Sequence, residues 1–484
     1  MNIEHVEKSY QELESDSTLQ NLIAQANARY ILYNTEESKE NFPRYTIKDE
    51  QLNILAFKYL NIGCNYFSEH NYLKASHSLE KGALILEYIH GSIHIQTKNK
   101  KLFCLISALS YYVCFQYSKA FILIGKLESD TMISSLVSLF LNRKFDQLLS
   151  EIDKLITNSS YGDEYLAEHF EEDNATKIYE IIIAKSLNYY VQFYQTGNKD
   201  FLEIAKKDLV NLQEVAAMRG EPDVWWVIRL LLLIIDGFKE SSLWYVLGNY
   251  FNTEDKLPLK YIQSLVYKNG SITELFLTQR NSLPKVLNNK QGSIVSIPTS
   301  SGKTRIGEIA ILNCLLNEPK AKILFIAPYR SLAYEIENSF DEIFSNLDVS
   351  VSHLYGGSLF SKLDERIIDE SSVIVATPEK AKALFRSNED ILSCIKLVII
   401  DEGHLLGTDK RLIVNEMFYE ELKYHVKANG GRFLLLSAVL PNAEDLSEWL
   451  TDSTDNVYKE NWRPSDERIG IMEWSFCEFK LEKH

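Results

Sequence analysis

The sequence predicts an α + α/β protein: an all-helical N-terminal domain over residues 1–265, then one P-loop domain built on a parallel sheet over residues 266–464. Three observations carry this expectation. Apolar residues of the first half recur at three- and four-residue spacings, with little β-like alternation. Only 10 Pro and 20 Gly in 484 residues favour long helices over a loop-rich β-protein. The second half changes to short β-branched runs separated by helical segments, and the first run ends in a Gly-Lys-Thr turn.

The helical half contains a repeat. Tyr59, Ile62, Gly63, Tyr66, Ala75, Leu79 and Gly82 fall at the offsets of a tetratricopeptide-like helix pair. Forty-five residues later, Ala108, Tyr111, Tyr117, Ala120 and Ile124 take the places of Gly63, Tyr66, Tyr72, Ala75 and Leu79. Small residues let two antiparallel helices approach closely, and large aromatics fill the holes beside them. A looser third copy surrounds Leu139, Phe145 and Leu148. Two readings stand side by side: an array of helix pairs, or a generic bundle in which small residues recur by chance. An array of this kind binds protein segments in its concave face, so a protein partner is expected on this domain.

Residues 252–270, with Pro258 and the Asn269-Gly270 turn, mark the change of pattern. The runs 293–297, 322–327, 373–376, 397–401 and 433–437 are almost continuously apolar, as in strands buried on both faces of a parallel sheet. The segments between them suit right-handed crossover helices. Residues 465–484 are expected to form an exit segment.

Composition bounds the function. A net charge of −16 (51 Lys and Arg against 67 Asp and Glu) argues against broad coating of nucleic acid, though not against a local groove. Six scattered cysteines with no C-x-x-C pair suggest reduced core thiols. The N-terminus lacks a basic and then apolar leader, and the most apolar run, 224–235, is broken by Arg229 and too short to span a bilayer. A cytoplasmic protein without a membrane partner is expected.

Chemistry gathers at two places. The run 293–297 leads into Ile297-Pro-Thr-Ser-Ser-Gly-Lys-Thr304, and a helix follows. Backbone N–H groups of such a turn, from Thr299, Ser300, Ser301 and Gly302, converge with the helix N-terminus on phosphate oxygens. Lys303 would neutralise β- and γ-phosphates, and Thr304 would offer a hydroxyl to Mg²⁺. The strict G-x-x-x-x-G-K-T pattern fails, since Ile297 holds its first glycine position. About a hundred residues on, Ile399-Ile-Asp-Glu-Gly-His404 ends another strand. Asp401 can hold Mg²⁺ there through water, and Glu402 can act as general base on the attacking water. Either segment alone is compatible with an ordinary loop or acidic turn; the pair in this order points to ATP and Mg²⁺.

With these motifs in view, the second half resembles the first RecA-like domain of a superfamily 2 DExH-box helicase. It is most similar to the branch of exosome-associated RNA helicases and archaeal DNA-repair helicases. The resemblance covers residues 275–464, about 40% of the chain, with its motifs in family order. Gln279, 24 residues before Lys303, matches the glutamine that reads adenine. Ala327-Pro-Tyr-Arg-Ser-Leu-Ala-Tyr-Glu335, Tyr355-Gly-Gly357 and Thr377-Pro-Glu-Lys380 match the strand-contacting motifs. The resemblance therefore implies contacts from Arg330, Gly356, Gly357, Thr377 and Lys380 to the sugar-phosphate backbone of one strand. It makes His404, Ser437 and Ala438 coupling residues that link hydrolysis to movement. Val439 departs from the usual threonine there, which puts that coupling in doubt. Trp462-Arg-Pro464 resembles the exit toward a second motor domain.

No Q-x-x-G-R-x-G-R-like motif occurs in the sequence, so one wall of the ATP site and one half of the strand groove are expected here, and a fragment that does not unwind duplexes by itself. The implied function is the N-terminal portion of an ATP-dependent nucleic-acid translocase or helicase, acting 3′ to 5′ on single-stranded or tailed duplex substrates. A long helical extension on such a motor also resembles helicases of antiviral defence systems such as Hachiman. Two alternatives remain: a helical-repeat scaffold with a nucleotide-dependent switch domain, and a P-loop ATPase acting on protein.

Overall fold

A computed structural model describes residues 3–34, 49–92, 100–127, 131–158, 172–354, 366, 368–387, 393–403, 410–438, 440–463, 470–475 and 478–483. It divides into two compact units. One is formed by Met1–Val191, Lys199–Asp236 and Arg463–His484, the other by Gln192–Asn198 and Gly237–Trp462.

Among the described residues, the secondary structure of the first unit up to residue 236 is helical. Helices Asp49–Ser68 and Tyr72–Ser92 approach so closely that a Cβ on Gly63 would lie 2.6 Å from Leu79 Cγ, and one on Gly82 would lie 2.7 Å from the Leu60 side chain. Tyr59, Tyr66, Ala75 and Leu79 fill the seam and are fully buried. Ala108, Tyr111, Tyr117, Ala120 and Ile124 are likewise buried, on helices Lys100–Val113 and Tyr117–Ile124. Helices Met132–Leu141 and Phe145–Asn158 follow, with Phe145 and Leu148 buried. Helix Ile3–Ser15 lies across the first pair with a seven-residue rhythm. Glu7 meets Lys74 and Tyr66, and one heptad on Glu14 meets Lys81 and Tyr59. The apolar run 224–235 sits inside helix Pro222–Ser241. Among the described residues no helix is long and apolar enough to cross a membrane. An antiparallel hairpin of β8 (Gly470–Ser475) and β9 (Glu478–Lys483) occupies the stretch expected as an exit segment.

The second unit is built on a seven-stranded sheet. Its strands are β1 (Gly292–Ser296), β2 (Lys322–Ile326), β3 (Val351–Leu354), β4 (Val373–Ala376), β5 (Ile395–Ile400), β6 (Arg432–Ser437) and β7 (Val457–Lys459). Their order is β3-β4-β2-β5-β6-β1-β7. Every pairing in it is parallel. This is a single RecA-like sheet domain following a helical region. The inner strands are buried except at Lys322, Lys396 and Arg432, which is why they read as nearly unbroken apolar runs. Because the strands are parallel, all their C-terminal ends open on one rim, where ligands of such sheets bind. The expected change at residues 265/266 falls within this unit. Helices Leu243–Gly248 and Lys256–Tyr267 belong to it, and Tyr261 of the latter is bonded to Glu308 beneath the cradle.

Candidate nucleotide site

The cradle leaves the sheet between its neighbours. The Ile297 N–H donates to the Ser437 carbonyl at 3.2 Å, and Ile297 is itself fully buried. An isoleucine therefore serves at the usual glycine position by filling core beneath the turn. The turn then reverses through two left-handed residues, Ser300 (φ +70°) and Gly302 (φ +76°), and helix Lys303–Asn317 begins. A side chain on Gly302 would suffer both that conformation and a neighbour, since its Cβ would lie 2.1 Å from Gln279 Nε2. Thr299 and Ser300 are exposed, Ser301 is buried, and Gly302, Lys303 and Thr304 are partly buried.

The acidic pair sits on the same rim. The Asp401 N–H donates to Ile326 O at 2.9 Å, tying the end of β5 to β2. The Asp401 carboxylate accepts from the Glu402 N–H at 3.0 Å, and Glu402 is left-handed (φ +52°). This bend turns the Glu402 carboxylate onto Lys303, whose ammonium lies 3.1 Å from each oxygen. Two segments 99 residues apart in sequence thus meet as one ion pair, with side chains only 10% and 23% exposed. Gly403 has a steric reason: a Cβ there would lie 2.6 Å from the Leu435 side chain.

Gln279 reaches the cradle as well. Its Oε1 accepts from the Phe276 N–H at 2.9 Å, capping helix Leu277–Leu287, and its Nε2 donates to Gly302 O at 3.0 Å. Ser437 is fully buried; Ser296 Oγ donates to Ala438 O at 3.2 Å and itself accepts from the Leu440 N–H at 2.9 Å. The cradle and the Ser437-Ala438 segment are therefore stitched through β1. Arg330 is exposed at the start of helix Arg330–Phe344, after β2. Thr377 follows the neighbouring strand β4 and is 5% exposed; its carbonyl accepts from the N–H groups of Lys380 and Ala381, and Lys380 is 4% exposed. Gly356, Gly357, His404 and Val439 lie outside the described residues.

Three features went unforeseen. Phe276 and Trp462 place their rings 6.0 Å apart beside the cradle, and Ser301 Oγ donates to Trp462 O at 3.4 Å. Arg305, directly after Thr304, pairs with the fully buried Glu308, which also accepts from Tyr261 at 3.1 Å. Burial pushes the Glu308 carboxyl above its ordinary pKa, against the pull of Arg305. Tyr194 and Thr273 both donate to Glu274, just ahead of Phe276. Only the aromatic content near the motifs could have signalled the first of these.

The geometry fits a nucleotide. A helix N-terminus and a lysine are groups that suit phosphate, and Thr304 and Asp401 carry oxygen donors of the kind that suits Mg²⁺. Residues 277–446 match the family model of DEAD/DEAH box helicases. The chain carries a DEAD/DEAH box helicase domain. The matched span takes in Gln279, the cradle, the acidic pair and the Ser437-Ala438 segment. Beyond the helicase domain, the chain is 41% identical over 474 residues to Hachiman protein HamB of Bacillus cereus, covering 98% of this chain and 42% of that protein. It is 33% identical over 218 residues to ATP-dependent DNA helicase Hel308 of Thermococcus kodakarensis, covering 45% of this chain and 18% of the relative. Over 207 residues it is 34% identical to ATP-dependent DNA helicase MER3 of Saccharomyces cerevisiae, covering 40% of this chain and 16% of the relative. The chain thus spans less than half the length of these curated relatives.

Proposed function

We propose that the helicase domain supplies one wall of an ATP site in a nucleic-acid translocase that grips a single strand by its backbone. The observation that carries this reading is the Lys303–Glu402 pair, which joins phosphate grip and catalytic base on the rim that also bears Arg330 and Thr377. In this mechanism Lys303 exchanges the Glu402 carboxylate for the β- and γ-phosphates. The released Glu402 then takes up the attacking water as general base. Gln279 reads the adenine edge. Bound Mg²⁺ would neutralise phosphate charge, held by Thr304 and, through water, by Asp401. Arg330 and the helix start at Thr377 contact phosphates without reading bases, so DNA and RNA are equally compatible with the domain.

Arginines that stabilise the transferred phosphoryl group are assigned to a second RecA-like domain, the other wall of the site. The helical pairs, with Leu73 and Phe121 exposed, are assigned to a protein partner. Likeness to Hachiman protein HamB agrees with a place in antiviral defence. The test is ATP turnover by the intact protein with Lys303→Ala: activity should be lost, and full retained activity would overturn the site assignment.

A further inference from the structure

Glu274 is 4% exposed and lies two residues ahead of Phe276 and five ahead of Gln279. A carboxylate removed from water in this way must find donors. It accepts from the Tyr194 phenol on one oxygen and from the Thr273 hydroxyl on the other. Tyr194, near the end of helix Glu172–Thr196, is 1% exposed, and its carbonyl accepts from the Trp244 indole at 2.8 Å. The Trp244 ring in turn covers Gly197, where a Cβ would come within 2.6 Å of it. The backbone on both sides of Glu274 is pinned. The Leu243 N–H donates to Thr273 O at 3.0 Å, and the Leu275 N–H donates to Ser241 O at 2.8 Å. Arg280 adds a bond to Glu240 O at 2.6 Å.

The chain of bonds continues to the cradle. From Phe276 it passes through the Gln279 amide to Gly302 O, and Thr278 Oγ1 donates to Ser301 O at 3.5 Å. A tyrosine far back in the helical half of the sequence is thereby connected to the backbone that holds phosphate. Holding a carboxylate in the core costs more than apolar packing would. What this one provides is direction: two charge-assisted bonds fix the torsions of residues 273–276 and so the place from which Gln279 acts. Direction matters for a glutamine, because its oxygen and nitrogen ends must face a matching donor and acceptor. Adenine offers an N6 donor beside an N7 acceptor, whereas guanine offers two acceptors.

We propose that Tyr194 and Glu274 are positioning residues for nucleobase choice: they seat residues 273–279 so that the Gln279 amide selects adenine. This rests on the nucleotide-site reading above. The test measures binding of ATP, GTP and inorganic tripolyphosphate to the full chain by calorimetry. Wild type is compared with Gln279→Ala, Tyr194→Phe and Glu274→Gln. Wild type should prefer ATP over GTP, and Gln279→Ala should lose that preference. Tyr194→Phe and Glu274→Gln should each reduce it by about tenfold, the low end of the worth of one lost charge-assisted bond. Tripolyphosphate affinity should stay unchanged in Tyr194→Phe and Glu274→Gln. Tyr194→Phe keeps the ring against Phe238 and deletes one oxygen, so it decides the matter even where Glu274→Gln does not fold.

A wild-type chain that binds neither ATP nor tripolyphosphate overturns the nucleotide-site reading itself. If Gln279→Ala loses the preference while Tyr194→Phe and Glu274→Gln keep it, only the present inference falls. It falls equally if those variants weaken all three ligands alike, or if wild type shows no preference for ATP.

Discussion

Replacing Glu402 by Gln should move binding and turnover in opposite directions. The Lys303 ammonium lies 3.1 Å from both Glu402 oxygens. A phosphate can take Lys303 only by displacing that carboxylate. The pair is partly exposed, 10% and 23% by side chain, so solvent screens it and its net worth is about 1 kcal/mol. Gln keeps the shape and removes the charge, so ATP should bind about fivefold more tightly. The same change removes the general base, which should slow hydrolysis by about 10² to 10⁴. The assay pairs an ATP dissociation constant with single-turnover hydrolysis, with Lys303→Ala as the control that loses binding. Wild-type turnover in Glu402→Gln would refute the general-base assignment. Weaker ATP binding in that variant would refute the exchange of Lys303 between carboxylate and phosphate.

Gly302→Ala should abolish ATP binding and cost about 1–2 kcal/mol in a denaturant melt, because φ there is +76° and the new methyl displaces the Gln279 amide. Unchanged ATP affinity would contradict the close fit. Glu308→Ala strands Arg305 in the core and should cost about 3–5 kcal/mol, whereas Arg305→Met with Glu308→Leu should recover most of that loss. Equal melts for single and double variants would show that the charges are not coupled. His90 is buried near Lys100 and Lys126, and burial first, then those charges, push it down to about 4 from an ordinary 6.5. The folded state thus binds fewer protons than the unfolded chain between those values. Its stabilising share is fully present above pH 6.5 and is lost as pH falls toward about 4, by up to roughly 3 kcal/mol. His90→Gln should flatten the acid limb of stability against pH; an unchanged slope would exclude His90 as its source.

The sheet domain was legible because its inner strands are buried on both faces and leave little room for polar residues. The runs expected at 322–327 and 373–376 end within a residue of β2 and β4, and that at 397–401 starts two residues inside the start of β5. The edge strands β3 and β7 were missed. Val351-Ser-His-Leu354 and Val457-Tyr-Lys459 are short and partly polar, which is how sheet edges are made and why they carry little pattern. The Gly63–Leu79 crossing was readable from small residues at fixed offsets. Lys303 and Glu402 were each visible as motifs, but their mutual grip depends on the left-handed turn at Glu402. Nothing local in sequence joins Arg305 and Glu308 to Tyr261, or Tyr194 to Glu274, 80 residues away. Such polar contacts are chosen by tertiary packing, not by neighbours in the chain. The helices just before residue 265 belong to the second unit through contacts made by tertiary packing, such as Tyr261 to Glu308 on helix Lys303–Asn317.

The most direct test of a nucleic-acid motor is ATP turnover by the intact protein without nucleic acid and with single-stranded DNA, single-stranded RNA or blunt duplex. The account predicts low basal turnover, strong stimulation by a single strand, and loss of the stimulated rate in Glu402→Gln. Turnover indifferent to every nucleic acid would contradict it.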